Sequence, residues 1–503
     1  MPFDATFLLR LYANVRLAAL AAEDPAAAQA RQLLHLVRRA RDTRFGRDHG
    51  FASIRSVADY QARVPLRRYG ELWAEYWSAG WPVLDDVTWP GRTPYFAFTS
   101  GTASGTSKFI PVSREMVAAN RRAALDILVH HVARHPDSRV MGGKTLILGG
   151  STDLEKLAGG VWKGDLSGIA TREVPAWARP WSFPPPDAAL DPDWDRKIDR
   201  LAGMAAGEDI RAITGTPGWV LAFLDRLGRP AREVFPRLEL YVHGGVSFAP
   251  YRARFDATLG GAATREVYPA SEGFVAVADL GPGEGMRLLA DNGLFFEFVP
   301  LGELDSPSPT RAWLGDVRAG VDYAIVLTSC AGLWSYVLGD TVRLVDRRPP
   351  RLLVTGRTGW MLNAFGEHLS GEQLDDAMVA AARGAAVTDY AAGAEFADGH
   401  RGRHVVVVEF SGPPPPDFAR SLDAALAAGS LDYAERRAGG IGLEAPRVLA
   451  VPAGFFAGWM RARGRLGGQN KVPRVITDEA MLADLVGRAR DQSPREAWGE
   501  VGR

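Results

Sequence analysis

From about residue 90 to 345, short apolar runs that stop at Gly or polar turns alternate with stretches of helical spacing. "KTLILGGS", "LELYVHGGVSF", "GLFFEFVP" and "AIVLTSC" each have the length and composition of a buried strand. Strands interleaved with helices cover both faces of a sheet, so the expected fold class is α/β. Ahead of this region, residues 1 to about 75 are expected to be helical, with apolar residues at helical spacing in "AQARQLLHLVRRA". The opening stretch "FLLRLYANVRLAALAA" is interrupted by Arg10 and Arg16. That predicts an amphipathic helix, not a signal peptide or a membrane span.

A chain of 503 residues exceeds what one core supports, so at least two domains are expected. The segment from Val174 to Trp194 is rich in Pro and Trp and reads as a loop covering a pocket, since strands resume after it. Its Trp177, Trp181, Phe183 and Trp194 either wall an apolar acyl pocket or simply pack, and the same choice holds for Trp219. A second boundary follows "RLLVTGR". Beyond it, "GEQLDDAMVAAA" predicts a helix, and "RHVVVVEFSG" and "RVLAVPAG" predict strands, enough for a small α/β domain. The expected division is 1–356 and 357–503.

Lys plus Arg and Asp plus Glu are equal at 59 each, which argues against a nucleic-acid partner. The one cysteine, Cys330, forms no intramolecular disulfide and points to a reducing compartment, the cytoplasm. It sits in a strand-like run where an inert buried thiol is expected. The nine His show no metal-ligand spacing, so no zinc site is expected.

The stretch "YFAFTSGTASGTSKFIPVS", Tyr95 to Ser113, crowds Thr, Ser and Gly around Lys108. Exposed N–H and hydroxyl groups beside one cation suit a polyanion such as a nucleotide's phosphates, the alternative being a polar hairpin turn. A Walker loop needs Lys directly after its second Gly. Here Lys108 comes three places after Gly105, and "GGKT" at Gly142 to Thr145 has Ser138 where the leading Gly belongs, so both fail.

The loop instead resembles the first signature of adenylate-forming enzymes. With one extra residue between Gly101 and Gly105, it is similar to that of the acyl acid amido synthetases named Gretchen Hagen three, the auxin-responsive family. "YPASEG" (Tyr268 to Gly273) and "YVLGD" (Tyr336 to Asp340) resemble the family's second and third signatures, in order. "ITGTPGWVL", "VHGGVSFAPY", "FFEFVP", "GRTGWMLNAFGEHLS" and "QNKVPR" match its bacterial members around them.

The resemblance implies a firefly-luciferase-like fold, with a large N-terminal adenylation domain and a small mobile C-terminal domain. It implies that Ser100, Gly101, Thr102 and Ser104 offer donors to the phosphates of ATP, with Lys108 facing the departing pyrophosphate. Tyr268 would lie against adenine, Ser271 would reach the α-phosphate, and Glu272 would hold Mg²⁺. Pro269 stands where Gly is common, so any backbone N–H contact there is lost. Asp340 would accept both ribose hydroxyls. Val337 replaces an Arg of many plant relatives, whose role does not carry over. Gly244 and Gly245 would allow close backbone approach on the adenine side. Arg357 would sit at the domain junction, and Lys471 is either the late catalytic lysine or a solvated loop residue.

The implied function is a ligase that converts a carboxylic acid to acyl-AMP and then passes the acyl group to an amine, expected to be an amino acid. The alternatives are thioester formation on CoA or a carrier protein, and a non-catalytic nucleotide-binding or regulatory protein.

Overall fold

The computed structural model describes residues 3–99, 108–149, 154–185, 188, 194–246, 248, 251–304, 306–358, 362, 369, 371–398, 401–430, 433–434, 437, 443–464, 472–476 and 478–492. The chain divides into two compact units. One is built mainly from Met1–Gly101, Thr106–Val246 and Leu259–Val354, the other from Ser247–Thr258 and Thr355–Arg503. No helix among the described residues is long and apolar enough to cross a membrane.

The N-terminal region is helical, as its spacing predicts. Polar residues set where helices begin: the Asp24 carboxylate accepts from Ala26 N–H at the start of Pro25–Ala40, and the Ser56 hydroxyl from Asp59 N–H at the start of Val57–Arg63. Ser113 caps the helix Arg114–Arg134, and its hydroxyl also donates to the Cys330 carbonyl at 2.6 Å. Burial pushes the Cys330 thiol up to about 12, the inert state expected of it.

The strands of the first unit run β1 Tyr95–Thr99, β2 Lys108–Val112, β3 Lys144–Leu148, β4 Glu155–Lys156, β5 Trp162–Gly164, β6 Ser182–Phe183, β7 Ile210–Gly215 and β8 Leu240–Gly244. They continue with β9 Ala263–Ala270, β10 Gly273–Val277, β11 Met286–Leu288, β12 Leu294–Pro300, β13 Ala312–Trp313, β14 Asp322–Ser329, β15 Tyr336–Arg347 and β16 Pro350–Arg357, the last crossing into the second unit. The smaller sheet has the order β2-β1-β5-β4. The larger, of 12 strands, has the order β13-β12-β14-β15-β16-β11-β10-β9-β8-β7-β3-β6. β6, β3, β7, β8 and β9 are mutually parallel, and β9 then pairs antiparallel with β10. The "YPASEG" stretch therefore lies where parallel pairing gives way to antiparallel.

The Trp and Pro segment is not all loop, because it contributes β6. Its aromatic residues do not share one wall. Phe183 is core, Trp177 is 68 % exposed, and the Trp181 indole donates to the carbonyls of Phe3 and Met141. These three are packing and surface residues, which corrects the pocket reading for them, while the Trp194 side chain lies outside the described residues.

A buried polar network sets the entrance to β15. Glu297 on β12 has no solvent exposure and receives Arg311 through two bonds, of 2.9 and 3.0 Å. The Ser335 hydroxyl donates to Glu297 at 2.9 Å and lies 3.0 Å from the Tyr60 hydroxyl, while the Ser335 N–H donates to the Thr328 hydroxyl. Ser335 has φ of +44°, a left-handed conformation that costs energy for a side-chain-bearing residue and is held by these bonds.

In the second unit, β17 Val387–Asp398, β18 Arg401–Phe410, β19 Arg447–Pro452 and β20 Val475–Ile476 form a sheet ordered β19-β18-β17-β20. The unbroken run Val405 to Val408 follows from burial on both sides. Val406 and Val408 pack with the helices Gly371–Ala382 and Phe418–Gly429, while Val405 and Val407 pack with Phe455–Ala462 and Glu479–Gln492. Buried Arg474 pairs with Asp389, and its guanidinium lies 4.3 Å from the Tyr390 ring centre.

Replacing Arg311 with Met leaves Glu297 as an uncompensated buried charge. The expected loss in urea unfolding is about 3–5 kcal/mol. A loss below about 1 kcal/mol would show that the network is not holding β15.

Candidate active site

The antiparallel pair β1 and β2 closes with Thr99 opposite Lys108, so these strands bracket residues 100–107. The expected phosphate contacts Ser100, Gly101, Thr102 and Ser104 lie outside the described residues, as does Lys471. Lys108 is described. Its ammonium stands 5.8 Å from the ring centre of Tyr69, whose hydroxyl accepts from Phe109 N–H at 3.0 Å.

β9 and β10 form a tight hairpin with Ala270 opposite Gly273, so Ser271 and Glu272 are its two turn residues. Ser271 is half-buried and Glu272 buried. Pro269 lies beyond Val267, the last residue of β9 paired with β8, so its missing N–H breaks no bond to that strand. Within the antiparallel region, four places from β9, β15 opens with Tyr336 and carries buried Asp340. The Tyr268 hydroxyl donates to Asp340 Oδ2 at 2.5 Å.

That bond constrains the sheet. β9 and β15 are four places apart in strand order, about 19 Å in a flat sheet, beyond the reach of the two side chains. The sheet must curl to bring them together. Tyr336 locates the remaining groups. Its hydroxyl is buried and makes no well-formed hydrogen bond among the described residues. Burial raises it well above the usual tyrosine value, and Glu272, then Tyr69 and Asp340, add to the effect. Glu272, Asp340, Tyr268 and, through Tyr69, Lys108 thus gather around Tyr336.

Gly244 and Gly245 end β8 near the hairpin. A Cβ on Gly244 would stand 2.3 Å from the Val267 carbonyl oxygen of β9, and Gly245 has φ of +85°. The close approach that Gly244 permits is to its neighbouring strand. Arg357 is half-buried at the last position of β16 and belongs to the second unit. Tyr336 and Tyr69 were not singled out from sequence. Tyr336 lies within "YVLGD", but its proximity to Glu272 depends on the curl.

No group of three or more His, Cys, Asp or Glu able to hold a metal occurs among the described residues. A dedicated cage is unnecessary for magnesium, which commonly takes one carboxylate plus substrate phosphates. Glu272, with the Tyr336 hydroxyl beside it, fits that donor set.

Two solved structures share this architecture. An acyl acid amido synthetase, GH3.15, matches with a TM-score of 0.80 at 16% identity, over 98% of this chain and 97% of that one. A 2-hydroxyisobutyryl-CoA ligase in the postadenylation state matches with a TM-score of 0.60 at 16% identity, over 94% and 93%. The fold is that of the adenylate-forming ligases, with a large mixed-sheet N-terminal part and a smaller α/β C-terminal part.

Family models narrow this further. The GH3 family N-terminal domain matches residues 17–215, the central domain 287–357 and the C-terminal domain 372–480. The chain belongs to the GH3 family. Among curated proteins, jasmonoyl–L-amino acid synthetase JAR4 of Nicotiana attenuata is 34% identical over 119 residues, 22% of this chain and 20% of that protein. JAR6 of the same plant is 32% identical over 124 residues, 23% of this chain and 21% of its own length. The chain thus spans about a fifth of the length of these relatives.

Gly244→Ala is expected to force β8 and β9 apart and cost about 1–3 kcal/mol in urea unfolding. Gly218→Ala, at a position with nothing within 4 Å of the new Cβ, is the matched control and should change stability by less than about 1 kcal/mol.

Proposed function

We propose that this protein is an ATP- and Mg²⁺-dependent acyl acid amido synthetase of the cytoplasm. It joins a carboxylic acid to an amine, an amino acid, through an acyl-AMP. The observation that carries the reading is the gathering of Lys108, Tyr268, Glu272 and Asp340 around Tyr336 within one unit. The names of the amido synthetase neighbour and of the jasmonoyl–amino acid synthetases support the same chemistry. Family membership favours the amide over a thioester.

In this reading Asp340 accepts the ribose hydroxyls, and the Tyr268 phenol orients its carboxylate while the ring flanks adenine. Ser100, Gly101, Thr102, Ser104 and Ser271 donate to phosphate oxygens, and Gly244 and Gly245 line the base side. Lys108 faces the pyrophosphate that leaves when the acid's carboxylate attacks the α-phosphorus. Glu272 would hold Mg²⁺, which when bound neutralises triphosphate charge. Residues 1–356 carry adenylation. Residues 357–503, with Arg357 and Lys471, act as a mobile domain that excludes water from the adenylate.

The test is to incubate the protein with ATP, Mg²⁺, a panel of aliphatic and aromatic acids and the common amino acids, and to follow pyrophosphate and new amides by mass. Pyrophosphate without amine, then an amide once amine is added, is the expected result. Thioester formation that requires CoA would replace this reading, and failure to bind ATP in calorimetry would end it. Glu272→Ala should slow pyrophosphate release at least about a hundredfold. Asp340→Asn should raise the KM for ATP at least about tenfold. Both should hold the thermal midpoint within about 5 °C, and unfolding of both would make their roles structural.

A further inference from the structure

Two buried charged residues of the first unit have no part in the scheme above. Asp165 is 5 % exposed and Lys197 is 2 % exposed. Asp165 stands between β5 and the short helix Leu166–Arg172, and its side chain makes no capping bond to that helix. Its Oδ2 and the nearby Ser167 hydroxyl are buried without a hydrogen-bond partner among the described residues. A residue kept only to shape the turn would have that oxygen paired or in water, because a buried, unpaired acceptor is costly. Burial raises the Asp165 carboxyl to about 7, against the opposing pull of Lys197, the charged group that acts on it among the described residues.

The sheet registers place this pair beside the candidate site. β1 and β5 are parallel with Ala97 next to Gly164, so Asp165 follows one step further, level with Phe98. Phe98 is in turn paired with Phe109, the residue after Lys108, so the Asp165 backbone lies about 10 Å from that strand. Lys197, on the helix Trp194–Ala205, donates to the Gly149 carbonyl at 3.2 Å, just past the end of β3. Because β3, β7, β8 and β9 are parallel, Gly149, Gly215, Gly244 and the Ser271–Glu272 turn share one edge of the sheet. Open α/β sheets hold their ligands along that edge. From β3 to β9 is about 14 Å, room for a small molecule.

We propose that Asp165 is the base of the amide-forming step, binding the primary ammonium of the amine acceptor with Ser167 as a second contact. The proposal rests on the ligase reading above and supplies its missing proton acceptor. The Asp165 carboxylate takes one proton from the ammonium. The freed lone pair forms the C–N bond at the acyl carbon as the bond from that carbon to the AMP phosphate oxygen breaks. The phosphate leaves with the electron pair and takes the second nitrogen proton, and Asp165 releases its proton to water. Lys197 favours the ionised carboxylate, so Asp165 is ready to accept near neutral pH.

The test separates the two half-reactions. Acyl-AMP is formed with the acid that releases most pyrophosphate in the screen above. It is then chased either with the best amino acid or with hydroxylamine, which is already neutral at pH 7 and needs no base. Asp165→Asn should release pyrophosphate as the wild type does and yield hydroxamate. Its amide formation should fall at least about a hundredfold. In the wild type, the ratio of amide to hydroxamate rates should rise through pH 7. Lys197→Met should move that rise to higher pH, since it removes the charge that lowers the carboxyl. Unchanged amide formation in Asp165→Asn, or equal loss of hydroxamate and amide, would overturn the assignment, and so would a pH-independent ratio in the wild type. Absence of pyrophosphate from the wild type would instead remove the ligase reading and this assignment with it.

Discussion

A 2.5 Å bond from the Tyr268 hydroxyl to Asp340 joins two strands that lie four places apart in one sheet. No arrangement of flat strands allows it. The stretch of sheet between them, β15-β16-β11-β10-β9, is therefore curled and not flat. That curl brings the hairpin turn with Glu272 beside Tyr336, while Tyr69 and Lys108 reach the site from a helix and from the smaller sheet.

The curl needs firm supports, and the fold provides them with polar groups inside its core. Glu297, Arg311, Ser335, Tyr60 and Thr328 satisfy one another where β15 begins, and they hold Ser335 in a left-handed conformation. A fully connected network of this kind costs little once complete and tolerates few rearrangements. Gly244 acts on the parallel side of the sheet, where only a residue without a side chain lets β8 lie against the Val267 carbonyl.

Carboxylates of the first unit divide by environment. Asp340 is tied to a phenol, Glu272 lies beside the Tyr336 phenol, and Asp165 is buried near a buried lysine with one oxygen lacking a partner among the described residues.

Local features were legible from residue order. Asp24, Ser56 and Ser113 mark helix starts, because a side-chain acceptor and the amides it caps are only two or three residues apart. The valine run at 405 to 408 gives a strand covered on both faces, because alternation is a property of consecutive residues. The three signature stretches, in order, also carry the family resemblance by themselves. Tertiary structure alone decided that Phe183 is core while Trp177 faces water, and that Arg474 meets Asp389 and the Tyr390 ring in one unit. It also decided that Tyr336 meets Glu272 and that Asp165 loses its solvent. The reason is common to all four: strand order and curl are set by pairings between residues far apart in sequence, and neighbouring side chains carry no record of them.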